Sequence, residues 1–121
     1  MQKKRLRLVI FQEAPGLWLA RGLEHDLSAE ARSIGEGVRA LLRLVDAHTA
    51  FDQRHAHAPL SAFPPAPQVY WNAFAGGMEV SLAQLGVALS DDWDVHVAFA
   101  TRRPWEERRF QEQRRPVRAI A

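Results

Sequence analysis

The sequence contains no cysteine, which excludes disulfide staples, thiolate metal centres and a cysteine nucleophile. It also lacks a long hydrophobic run. The longest stretch free of Lys, Arg, Asp and Glu is 55–78, and four prolines and two histidines interrupt it. Such a segment cannot satisfy its own backbone as a spanning helix, so no membrane anchor is expected. The start, Met1-Gln-Lys-Lys-Arg5, passes directly into alternating residues without the apolar stretch and cleavage site of a secretory leader. A cytoplasmic location is the resulting expectation. A glycine-rich phosphate loop is missing too, because Gly35-Glu-Gly37 is followed by neither a further glycine nor Lys-Ser/Thr, and none of the serines has nucleophile-elbow spacing.

What remains is 121 residues, 47% hydrophobic and 25% charged, the composition of one folded domain around one core. The net charge of +2 is a remainder of unlike parts. Residues 1–11 carry four cations and no acid, and residues 102–121 carry seven Arg against three Glu. Between them, 12–101 carries five Arg against eleven acids. Basic ends on an acidic body can grip a phosphate backbone, or satisfy the carboxylates of the body or of an acidic partner.

Alternation from Arg5 to Phe11 predicts a strand, with Leu6, Leu8 and Ile10 on one face and Arg5, Arg7, Val9 and Phe11 on the other. Turn chemistry at Gln12-Glu-Ala-Pro-Gly16, followed by renewed alternation to Leu23, predicts a hairpin, and 27–31 predicts a short third strand. At Ser33-Ile-Gly-Glu36 a capping box starts a helix. Its apolar stripe is Ile34, Val38, Leu41, Leu42, Val45 and Thr49; the pattern fades after Phe51, and Pro59 ends the helix at the latest. The four prolines of 59–67 predict an extended crossover. A short helix from Pro67 to Phe74, with an aromatic face of Tyr70, Trp71 and Phe74, is stopped by Gly76-Gly77. The segment 78–89 starts as a strand, Trp93 to Phe99 alternates cleanly, and Pro104 to Arg115 reads as an Arg-rich helix with Pro in its first turn.

The run Gly16–Glu36, through Trp18, Ala20, Leu23, His25, Asp26, Ala29, Ser33 and Glu36, resembles the HicB-like antitoxin superfamily. The later element Pro64-Pro-Ala-Pro-Gln-Val-Tyr-Trp-Asn-Ala-Phe74 is similar to one that follows the helix in uncharacterised relatives of that group. The resemblance covers residues 5 to about 75. It implies a three- or four-stranded antiparallel sheet covered by one helix, self-association, and neutralisation of a small RNA-cleaving toxin by covering it. Residues 78–121 carry no counterpart of the DNA-binding domain through which many members repress their own operon.

The expected fold is therefore α+β: an antiparallel sheet of three to five strands on one long amphipathic helix, with a short second helix and an Arg-rich C-terminal helix. Residues 1–101 form the HicB-like part and 102–121 the extension. His48, Asp52 and His55 fall at metal-ligand spacing, with His57 beyond, but on a fraying helix end that equally suits free histidines. His25 and Asp26 are adjacent, so on a strand they point apart and suit a turn better than an acid/base pair. Asp91-Asp92-Trp93-Asp94 lacks the spacing of a calcium loop. No catalytic residue, metal or cofactor is assigned. The expected activity is non-enzymatic binding, with Tyr70, Trp71, Phe74 and Trp105 as partner-binding residues, since aromatics dominate interface energetics and one small core has little room for all of them. Expected partners are a second copy of the chain or a small basic protein. The alternative is nucleic-acid binding through the basic N-terminal strand and Arg102, Arg103, Arg108, Arg109, Arg114 and Arg115.

Overall fold

A computed structural model describes residues 3–106. The first strand, β1 (Lys4–Ala14), turns through Pro15-Gly16 into β2 (Leu17–Gly22), with Gly16 at φ 72° supplying the left-handed conformation the turn requires. β3 (Ser28–Ala31) pairs antiparallel with β2. The first helix, α1 (Ile34–Arg54), starts where the capping box places it, the Ser33 hydroxyl accepting the Glu36 N–H at 3.2 Å. A second helix, α2 (Gln68–Gly76), follows the proline segment, with Pro67 at its N-cap and Gly77 at its C-cap. β4 (Met78–Val80), a short 3₁₀ turn (Ala83–Leu85) and β5 (Trp93–Phe99) complete the sheet, and a helical turn begins at Pro104.

The α+β class and the two helices agree with the sequence reading; the sheet is mixed instead of wholly antiparallel. Its order is β3-β2-β1-β5-β4, and β1 runs parallel to β5 in the middle, with Arg5 opposite Asp94 and Arg7 opposite His96. A parallel neighbour needs a long crossover, which α1, the proline segment and α2 provide between them.

The expectation of one core is also corrected. β1 is apolar on both sides, so both faces of the sheet are covered. Leu6, Leu8 and Ile10 face α1 and its Val38, Leu41 and Val45, whereas Val9 and Phe11 face α2 with Leu19, Leu23, Tyr70 and Ala73. The proline segment carries the chain from one face to the other, with Leu60 in the first cluster and Ala66 in the second. It is tied to the β2–β3 connection by Asp26 N–H donating to Pro64 O and Ala66 N–H to Leu23 O, each at 2.8 Å. Among the described residues no helix is long and apolar enough to cross a membrane.

Candidate functional site

The aromatic face of α2 is turned onto the chain's own sheet, which relocates most of the residues expected to meet a partner. Tyr70 is buried, its ring 6.3 Å from that of Phe11, and its hydroxyl accepts from Arg21 Nη1 at 2.8 Å. Trp71 and Phe74 are partly buried against the same cluster, and the Trp71 indole N–H donates to Ala66 O at 3.1 Å. Trp105 stands edge-on to Phe11 at 5.6 Å and keeps 37% of its surface exposed. The second core accounts for this burial: two faces take up more aromatic surface than one. Arg103 forms an ion pair with Glu106 and donates to Glu13 O at 3.5 Å, and Arg102 is exposed. Arg108, Arg109, Arg114 and Arg115 lie outside the described residues.

α2 covers only the half of its face that ends at Phe11 and Ala100. The other half is bare, because strand alternation puts Arg5 and Arg7 of β1 and Asp94 and His96 of β5 on that side, where no apolar residue invites a helix. The result is a mixed-charge surface, with a recess of about 600 Å³ lined by Lys3, Arg5, Arg7, Glu24 and Asp94.

Several charges on it are held in place. Glu24 accepts both from Arg7 Nε at 2.6 Å and from the Arg7 backbone N–H at 2.7 Å, and the Arg7 guanidinium lies 4.7 Å from the Trp71 ring centre. Arg21 reaches Asp26 through Nε at 2.7 Å and Nη2 at 3.0 Å, a bidentate pair that strengthens its hold on its proton. His25, by contrast, stands edge-on to Trp93 at 6.2 Å, and no side-chain hydrogen bond joins it to the adjacent Asp26, which is held by Arg21.

At the outer edge, His96 sits between two carboxylates, with Asp94 Oδ2 at 3.0 Å from Nε2 and Glu79 Oε1 at 3.0 Å from Nδ1. Both nitrogens can donate only in the imidazolium, so these bonds, first that to Asp94 and then that to Glu79, raise the pKa from its ordinary 6.5 against a smaller opposing effect of burial. Both ring nitrogens are thereby engaged by carboxylates. Because the folded pKa is raised, the bridge contributes its full stability below 6.5 and loses it as pH rises through the folded value. With a third of the ring in solvent, that contribution is small. An NMR titration of the intact chain should therefore place the His96 midpoint above 6.5, and Asp94→Asn should lower it more than Glu79→Gln. A midpoint at or below 6.5 would show that the bridge does not form.

The histidine-rich end of α1 does not assemble a metal site. Asp52 is turned inward, His48 packs edge-on to Phe63 at 4.8 Å, and His55 stacks on Phe51 at 4.1 Å. No group of three or more His, Asp or Glu among the described residues has metal-holding geometry. In the Asp91-Asp92-Trp93-Asp94 run, the Ser90 hydroxyl accepts the Asp92 and Trp93 N–H groups, forming the turn into β5.

Sequence reasoning missed the His96 bridge and the bare half-face. One signal was present, Asp94 and His96 at strand spacing on one side of β5, but Glu79 arrives through the β4–β5 pairing, which leaves no local trace. No family model matches the chain, and neither does any curated protein or solved structure.

Proposed function

We propose that this chain is a non-enzymatic binding module of the HicB-like type, one that covers or scaffolds another protein, in the antitoxin-type reading a small basic one. The observation that carries the reading is the bare, mixed-charge half of the sheet. Glu24 is held by Arg7, and Asp94 and Glu79 by His96, with Lys3 and Arg5 beside them. Fixed charges of both signs suit a protein surface of complementary pattern and give specificity. They suit a phosphate backbone poorly, because each acid repels it, and Arg7 and Arg103 are already occupied by Glu24 and Glu106. Three antiparallel strands leading into a Ser-capped helix support the HicB-like part of the reading.

The test is recovery of the intact chain from native cells, with bound protein and nucleic acid both identified, followed by affinity measurement on the purified partner. A protein partner is expected, and the double variant Arg5→Glu/Glu79→Lys should weaken its binding about ten-fold or more, while Arg54→Glu on the far end of α1 leaves it unchanged. Nucleic acid recovered in place of protein, or a complex indifferent to the double variant, would overturn the reading.

A further inference from the structure

Across the sheet from the charged face, the α1 layer holds a groove between the helix and the segment that leads into β5. Its shape follows from how that segment is pinned. Arg39 Nη1 donates to Gly86 O at 3.2 Å, and the absence of a side chain at Gly35 lets the Leu85 carbonyl approach so closely that a Cβ there would lie 2.8 Å from it. Val87 is buried in the first core. At the other end Lys3 Nζ donates to Ser90 O at 2.8 Å. Between these anchors the chain stands off from α1 and leaves a cavity of about 460 Å³.

Three features of this groove are left unsatisfied. Leu89, on its wall, is 81% exposed, more than any other large hydrophobic side chain among the described residues, and Leu42 and Ala50 of α1 line the same groove. Asp46 and Asp92 also line it and repel one another: burial first, and the Asp92 charge second, push the Asp46 carboxyl up from its ordinary value. Neither they nor Asp91 form an ion pair among the described residues, in which the carboxylates at Glu24, Asp26, Glu79 and Asp94 are all paired. The Thr49 hydroxyl, on the same stretch of helix, is shielded from solvent without a hydrogen-bond partner among the described residues. Apolar surface calls for an apolar cover and two facing carboxylates call for a cation. Arg39, held on Gly86 O, and Arg43 line the same groove, so its three acids outnumber its cations by one and still disfavour a nucleic acid or an anionic lipid surface.

We propose that this groove docks a basic amphipathic segment of another protein, an aliphatic side chain covering Leu42, Ala50 and Leu89 while a neighbouring Lys or Arg enters between Asp46 and Asp92. The site is separate from the charged face, and its partner chemistry is set by residues that the binding reading above does not use.

The experiment places a photoreactive amino acid at position 89 of the full chain, cross-links in native cells and sequences the joined peptide. The expected product is a segment of another protein with an aliphatic residue beside Lys or Arg. A synthetic peptide of that sequence should bind the full chain, and Asp46→Lys or Asp92→Lys should weaken it about ten-fold or more. Asp92→Asn should have a smaller effect, and replacing the peptide's cation by Glu should restore binding to the Lys variants. Arg5→Glu/Glu79→Lys should leave this binding intact, which separates failure of the groove from failure of the charged face. A product joined to a second copy of this chain, a segment without a cation, no product, or binding indifferent to charge reversal would each overturn the proposal.

Discussion

Phe11→Ala is expected to lower stability by about 3–5 kcal/mol and to loosen α2 from the sheet while the α1 side stays folded. Phe11 is fully buried at the end of the central strand, and the second core is small: Val9, Leu19, Leu23, Ala66, Tyr70, Ala73 and Ala100 are its other buried members. Removing the ring deletes the surface on which Tyr70 and Trp105 both rest. With few neighbours able to shift inward, the cavity stays largely open, which puts the cost toward the upper part of that range. Urea unfolding read by tryptophan fluorescence measures the loss. Amide exchange should then show faster opening in 68–76 than in 38–45. A loss below about 1 kcal/mol, or equal opening of the two helices, would mean that the faces of the sheet do not hold separate cores.

The second large effect is at Asp52. Its carboxylate is buried and accepts the Leu60 N–H at 2.8 Å, while its backbone carbonyl accepts the His57 N–H at the same distance. Leu60 itself is fully buried and adopts φ 60°, a left-handed conformation that costs a branched-chain residue about 1–3 kcal/mol and persists only where its surroundings impose it. Asp52→Ala removes the acceptor that holds this turn and leaves a buried N–H unpaired, so a loss of about 1–3 kcal/mol is expected, with Asp52→Asn, which keeps an acceptor oxygen, losing less. Thermal unfolding of the two variants side by side decides the matter. Equal losses would place the effect in charge instead of in the hydrogen bond.

These two residues also show where the sequence was informative. Val38, Val45 and Asp52 are spaced by seven, so Asp52 continues the buried stripe of α1; its carboxylate suggested a ligand, whereas the helical spacing pointed inward. Alternation in β1 and β5, the capping box at Ser33 and the stop at Gly76-Gly77 were local signals, and the elements they mark formed where expected. Which strands become neighbours is not local. Arg5 comes beside Asp94 only because β1 and β5 pair in parallel across nearly ninety residues of chain, and that pairing also makes β1 central and buries both its faces. From periodicity alone, the aromatic face of α2 was indistinguishable from a docking surface, since a helix that packs on its own sheet and one that waits for a partner show the same stripe.

The central claim, that the bare half of the charged face binds a protein, is tested most directly by mapping amide and side-chain NMR shifts of the full chain as the purified partner is added. The account predicts changes concentrated at residues 3–7, at Glu79 and at 94–96, with the His96 ring among the most affected. Changes gathered around Trp105 and the end of α2, with 3–7 and 94–96 unmoved, would contradict it.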